Sequence, residues 1–149
     1  MKISLLVGEL YGGLRAFKIF MIKGPRFAGP IKFIIDSGSP DTLIGTMDAS
    51  RLNIPISNLP LPEDKKVVGL DGVQIILKLI KDLTLLSADE HGETVRFSML
   101  VYVNAKPVPK IRGQETQGNP SVLGVDFLLK NKLKFVFDPI KEIAYLESS

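Results

Sequence analysis

The stretch Ile31-Lys32-Phe33-Ile34-Ile35-Asp36-Ser37-Gly38-Ser39-Pro40-Asp41-Thr42-Leu43-Ile44 decides how this sequence is read. An apolar, largely β-branched run delivers a carboxylate straight into a turn of small residues, and a second apolar run leaves it. That placement of Asp36 is costly, because a carboxylate at the end of a buried strand is desolvated unless backbone N–H groups and hydroxyls meet it. Ser37, Gly38 and Ser39 are residue types that supply such donors, and Gly38 is expected to turn the backbone beneath the carboxylate by using φ values other residues avoid. Taken alone, the same residues are also ordinary β-turn formers. An Asp-(Ser/Thr)-Gly triplet arises by chance on the order of once in ten or twenty chains of this length, so the surrounding pattern has to decide.

About 85 residues downstream comes Ser121-Val122-Leu123-Gly124-Val125-Asp126-Phe127-Leu128-Leu129, an apolar pair ending in Gly and opening directly into a helix. With this second element the chain resembles the retropepsin-like aspartic proteases. The resemblance follows chain order over roughly residues 14 to 146: Ile34-Ile35-Asp36-Ser37-Gly38, a hairpin around Gly69-Leu70-Asp71-Gly72, Val122-Leu123-Gly124 with its helix, then the closing strand Leu133 to Asp138. It implies an all-β, closed-barrel-like retropepsin (acid protease) fold with a short C-terminal helix, active as a homodimer. Such enzymes need two carboxylates facing one water, and with a single Asp-(Ser/Thr)-Gly the second Asp36 has to come from a second chain. The resemblance also implies that the Ser37 hydroxyls lock the two loops together across the two-fold axis and that Ser39 bonds an outer carboxylate oxygen. Gly69, Leu70, Asp71 and Gly72 would form the tip of a flap closing over an extended or unfolded peptide.

Two departures from the viral members are correlated. Where those usually carry an acidic residue four places after the catalytic Asp and an Arg after the second Gly, this chain has Pro40 and Val125. Both partners of an ion pair are absent together, which leaves no buried orphan charge and is similar to the cellular type of the family. The segment 104–120 is also longer than the family's usual connection.

Working outward, strands are expected over 3–7, 14–22, 31–35, 42–44, 66–68, 73–79, 83–86, 94–103, 122–123, 134–137 and 143–146. One short helix should start near Asp48 as its N-cap, and a second should run from about Val125 to Asn131, with Val125, Leu128 and Leu129 on one face. The segments 55–64, with three prolines, and 104–120, with Lys106, Lys110 and Arg112, read as irregular surface loops. Asp71-Gly72 between apolar runs is a strong hairpin signal.

With 149 residues, 45% of them hydrophobic and 23% charged, the chain reads as one globular domain, 1–149. No cysteine and a single histidine rule out a disulfide framework and the usual Cys/His zinc sites, so no metal or other cofactor is expected. A net charge of +3 with only 7% aromatic residues gives no case for nucleic-acid binding. The opening residues lack the apolar core and cleavage site of a signal peptide, and no stretch approaches a membrane span, so a cytoplasmic, membrane-free protein is expected. Asp89-Glu90-His91-Gly92-Glu93 reads as an exposed turn, and without a Gly-x-Ser-x-Gly elbow there is no serine-hydrolase site. Gly8, Gly12 and Gly13 lack the Lys-(Ser/Thr) and helix of a phosphate loop and read as turn residues. The alternative function is a retropepsin-like module that dimerises and binds peptide without cutting it, because fold alone does not establish activity.

Overall fold

Alternating apolar and polar residues along long β-branched segments give strands that each bury one side, and in the computed structural model the chain is mostly β. Residues 1–62, 77–105 and 119–148 are described in full, and residues 67–68, 74–75, 110–111 and 114–115 by their backbone. The strands are β1 (Lys2–Leu10), β2 (Gly13–Lys23), β3 (Ala28–Ile35), β4 (Leu43–Ile44), β5 (Val67–Val68), β6 (Gln74–Ile75), β7 (Leu77–Ala88), β8 (Thr94–Asn104), β9 (Lys110–Ile111), β10 (Gln114–Glu115), β11 (Ser121–Leu123), β12 (Leu133–Asp138) and β13 (Ile143–Ser148). Among the described residues two short helices, α1 (Thr46–Arg51) and α2 (Val125–Lys130), interrupt them, with one 3₁₀ turn at Ile56–Asn58.

The main sheet runs β12-β13-β1-β2-β3-β11-β4-β8-β7, and β7 pairs again with β2. The path of pairings therefore leaves β2 through β3 and returns to it through β7. This closure depends on β1. It lies against β2 from Leu6 to Leu10, then leaves at Leu5 to pair with β13, which opens the β2 edge at Met21–Lys23 to Leu86–Thr84 of β7. The β1–β2 connection is two residues, Tyr11 and Gly12, with φ of 51° and 78°, the positive pair a type I′ turn uses to follow strand twist. Of the three glycines there, Gly12 is the turn residue, whereas Gly8 lies in β1 and Gly13 in β2.

The enclosed core centres on Phe20, Phe33 and Phe127, all fully buried. Phe20 meets Phe33, Phe97 and Phe127 edge to face at 6.0, 6.5 and 6.2 Å, and Phe97 meets Phe127 at 5.0 Å, the geometry that ring quadrupoles favour. Phe127 comes from α2, so burial of that one ring fixes the helix against β2 and β8.

Several expectations are corrected. Asp48 does not cap α1. Gly45 occupies that position, and Asp48 sits in the first turn with its carboxylate drawn to Ser121 and Arg51. The expected strands at 73–79 and 83–86 resolve into the short β6 and one long β7, whose register shifts between Ile80 and Leu83; that bulge, with Lys81 and Asp82, is what read as a break. Segment 104–120 is not wholly irregular, since Asn104 ends β8 and β9 pairs antiparallel with β10. The second helix and the two strands after it fall where expected, α2 being followed by the β12–β13 hairpin.

Around the expected flap, β5 and β6 pair antiparallel, Val67 opposite Ile75 and Val68 opposite Gln74. A two-residue turn at Asp71-Gly72 would put Val68 opposite Ile75 instead. The tip residues Gly69, Leu70, Asp71 and Gly72 lie outside the described residues.

Candidate active site

The site is built where β3, β11 and β4 run side by side. β11 lies parallel to β3, Val122 beside Ile34 and Leu123 beside Ile35, and Val122 also pairs with Leu43 of β4. At the end of β3 the Asp36 N–H donates to Leu123 O at 3.0 Å, which carries the strand conformation one residue further. The alternation of the pleat then puts Asp36 on the face of Ile34, opposite the core side of Ile35. Asp36 is half-buried, and its Oδ1 accepts the Gly38 N–H at 2.9 Å. Ser39 N–H donates to Asp36 O at 3.1 Å, closing the turn.

The residues around the carboxylate divide into those placed as expected and those placed otherwise. Gly38 is a donor, but its φ is not among the positive values. The constraint there is space, because a Cβ would lie 3.1 Å from Asp36 Oδ1. Ser39 Oγ donates to Asp41 O at 2.8 Å and does not reach the carboxylate. A hydroxyl two residues before a carbonyl closes that local bond more readily than one across the turn. Ser37 is exposed, on the outside of the loop.

The loop is held from below by the second motif. Val125 N–H donates to Ser39 O at 2.8 Å and Asp126 N–H to Pro40 O at 3.2 Å, so the first free N–H groups of α2 are satisfied by the loop that carries Asp36. Pro40 therefore sits within the pattern, its carbonyl in use. Gly124 lies directly beneath: a Cβ there would meet Asp41 O at 2.5 Å and Ser39 O at 2.7 Å. Only glycine permits that approach.

Sequence reasoning missed the clamp beside it. Thr42, fully buried, receives the Gly124 N–H on Oγ1 at 3.1 Å and donates that hydroxyl to Asp126 Oδ1 at 2.8 Å. Its N–H donates to Asp126 Oδ2 at 3.0 Å, and Asp126 Oδ1 also accepts the Phe127 N–H at 2.7 Å. One carboxylate thereby joins the exit of the Asp36 loop to the start of α2. A second lock secures the other end of β11. Ser121 Oγ accepts the Gly45 N–H at 2.9 Å and donates to Asp48 Oδ2 at 2.6 Å, and Asp48 Oδ1 pairs with Arg51 at 3.0 Å. A hydroxyl opening the exit strand and an acid in the first helical turn were the only signals in the sequence.

On the face that carries Asp36, the register lines up Ile34, Val122, Leu43 and Tyr102 across β3, β11, β4 and β8. The opposite face at the same level, Ile35, Leu123, Ile44 and Val103, is buried core. The arrangement is one carboxylate at the end of an apolar row on a loop fixed by backbone bonds. His91 is away from it in the β7–β8 turn, beside Glu90 at 3.7 Å. Among the described residues no group of three His, Cys, Asp or Glu side chains is placed to hold a metal ion, and no helix is long and apolar enough to cross a membrane.

No family model matches the chain, and no curated protein matches it in sequence. Among solved structures, the fold is similar to that in the crystal structure of a retropepsin-like aspartic protease from Rickettsia conorii, with a TM-score of 0.59 and 17% identity over 99% of this chain and 91% of that one. The chain is thus mostly β, with a fold similar to that of a retropepsin-like protein. At that identity the likeness concerns the fold.

Proposed function

We propose that the chain is one subunit of a homodimeric aspartic endopeptidase that cleaves extended or unfolded polypeptides. The observation that carries this reading is the setting of Asp36. It is a carboxylate at the end of an apolar strand, held by the Gly38 N–H on a loop that the N-terminus of α2 underpins through Ser39 and Pro40 carbonyls. So many fixed bonds around one half-buried acid hold its position, as a group that must meet a partner carboxylate and a water requires.

In this reading residues 1–149 form a single domain, and the returning path of strand pairing is its barrel-like core. Two Asp36 carboxylates face one water and share a proton. The ionised one takes a proton from the water as it attacks the scissile carbonyl, while the protonated one donates a hydrogen bond to the carbonyl oxygen and then its proton. As the C–N bond breaks, the first Asp36 passes the proton taken from water to the amine nitrogen, and a hydroxyl of the tetrahedral intermediate returns a proton to the second, which leaves the carboxylic acid product and restores the singly protonated pair. Val122 and Leu43, half-buried beside Ile34, form an apolar floor for substrate side chains. The β5–β6 hairpin, with Gly69 to Gly72 at its tip, adds main-chain bonds to the bound strand and excludes water. Ser37, on the exposed side of the loop, faces its counterpart in the second subunit. A reducing compartment such as the cytoplasm suits a chain without cysteine. Neither a cofactor, a nucleic acid nor a membrane takes part.

One observation favours a non-cleaving peptide-binding module: Ser39 turns its hydroxyl to Asp41 O and away from Asp36. Replacing Asp36 by Asn separates the two readings, since the amide keeps the shape and removes the base. Loss of all cleavage of an unfolded protein substrate, with melting temperature and sedimentation retained, supports the protease. Cleavage near the wild-type rate in Asp36→Asn, or none in wild type at any acid pH, overturns it.

A further inference from the structure

The way the sheet closes leaves a hollow away from Asp36. β2 pairs with β7 only from Met21 to Lys23, opposite Leu86 to Thr84, and then ends. Nearer the start of β7 the neighbour is the segment after the 3₁₀ turn, where Pro60 O accepts the Leu79 N–H at 3.0 Å and Leu59 O accepts a bond from Lys78 Nζ at 3.2 Å. Between these two attachments lies a cleft of about 600 Å³, bordered by the β2–β3 turn, the 3₁₀ segment and β7. That is an ordinary size for a small-ligand site.

The floor of the cleft is apolar and fixed. Gly24 donates its N–H to Phe27 O at 2.9 Å, and the Phe27 ring lies so close over Gly24 that no Cβ would fit there. Phe27 is buried, and Leu59 and Leu79, half-buried, continue the apolar lining. Pro25 in the turn, and Pro55 and Pro60 on either side of the 3₁₀ segment, hold φ along the rim. A ligand entering such a cleft orders little that is not already ordered. The rim, by contrast, is charged. The register of β7 shifts between Ile80 and Leu83, and the bulge leaves Lys81 and Asp82 exposed at the cleft, with Arg26 contributed by the β2–β3 turn. Among the described residues none of these three side chains has an ion-pair or hydrogen-bond partner.

We propose that this cleft binds the free C-terminus of a short apolar peptide. Two cations against one acid leave a single positive charge in excess, which matches one carboxylate, while Asp82 at the same rim repels a phosphate or a second acid. Arg26 and Lys81 pair with the carboxylate through charge-assisted bonds, and the last side chain of the peptide lies on Phe27, Leu59 and Leu79. Asp82 also has a role toward this ligand: the amide N–H next to a terminal carboxylate is a donor, which a fatty acid lacks. Residues 59–60 lead toward the β5–β6 hairpin and residues 78–79 lead away from it, so the ligand sits at its base. Binding there needs nothing of the mechanism proposed above. If that mechanism also holds, every cut releases a terminus of this kind, and the cleft is a product site.

The probes are N-acetyl-Leu-Phe, the same dipeptide as its C-terminal amide, and octanoate, each titrated calorimetrically into the intact chain with no cleavage measured. The acid should bind at least about tenfold more tightly than the amide, the worth of one charge-assisted contact. It should exceed octanoate by about the same factor, because of the N–H bond to Asp82. In the double variant Arg26→Gln with Lys81→Gln the acid should fall to the affinity of the amide, and the amide should keep its own. A second measurement needs no variant: on adding the acid to wild type, backbone amide NMR shifts should centre on residues 25–27, 59–60 and 79–82. No binding of the acid at millimolar concentration, equal binding of acid and amide, or a double variant that still prefers the acid overturns the proposal. Shifts centred on residues 36–43 also overturn it, by placing the peptide at the candidate active site. Octanoate binding as tightly as the dipeptide rejects a peptide occupant in favour of a fatty acid. Loss of the protease reading under Asp36→Asn would leave each of these outcomes unchanged.

Discussion

Replacing Thr42 by Val asks how much of the loop's rigidity rests on one hydroxyl. The side chain is fully buried and the change is nearly isosteric, so no cavity opens. What disappears is the bond from Oγ1 to Asp126 Oδ1 at 2.8 Å, made to a carboxylate, and the acceptor of the Gly124 N–H at 3.1 Å. A bond to a charged group is worth about 1.5–3 kcal/mol, and the buried N–H left without a partner costs about 1–3 kcal/mol. Burying a methyl in place of the hydroxyl returns about 1 kcal/mol. The net loss is about 1.5–5 kcal/mol, which for a chain of this length lowers the melting temperature by about 3–20 °C. Urea and thermal unfolding monitored by circular dichroism measure it directly, with Thr42→Ser as companion. Serine keeps both bonds and loses only a methyl, so it should cost about 1 kcal/mol. If Thr42→Val lies within about 0.5 kcal/mol of wild type while Thr42→Ser is the worse of the two, packing and not the hydroxyl holds the loop, and the argument fails.

Two further outcomes follow from the same geometry. Gly124→Ala forces a methyl to 2.5 Å from Asp41 O, so the loop must shift off α2; soluble yield or melting temperature should fall steeply, and an unaffected protein would show that the approach is not as close as drawn. In the proposed dimer cleavage needs one carboxylate ionised and the other protonated, so its rate should pass through a maximum as the pH is varied, and a steady rise from about pH 5 to about pH 9 would exclude the shared-proton mechanism.

Much of this was legible in the chain because the two motifs are local. Apolar run, acid, small turn and apolar-apolar-Gly-helix each announce themselves within ten residues, and their order fixes the topology. What was hidden is long-range. Asp48 has the composition of an N-cap, yet its carboxylate is claimed by Ser121, 73 residues away. Asp126 looks like an ordinary first-turn acid, and only the fold brings it to Thr42, 84 residues earlier. Ser39 was expected on the Asp36 carboxylate, and its hydroxyl bonds the carbonyl of Asp41 instead. The pair β9–β10 is two residues long on each side, too short for any period to register.

The place of β11 in the sheet bears on the order in which the chain acquires its structure. β3 and β4 are neighbours in sequence but not in space, because β11 lies between them. Adjacent strands are about 4.8 Å apart, so the loop from Asp36 to Thr42 spans a gap of about twice that width, which stays unfilled until residues 121–123 arrive. During synthesis, β1 to β8 emerge first and can pair as hairpins and meanders, yet Asp36 has no Leu123 carbonyl, Ser39 and Pro40 have no helix beneath them, and Thr42 has no Asp126. The loop closure spans more than eighty residues, the kind of non-local contact that slows folding. The carboxylate is thus among the last groups to be fixed in place, and a nascent or partly unfolded chain carries Asp36 without the bonds that hold its loop.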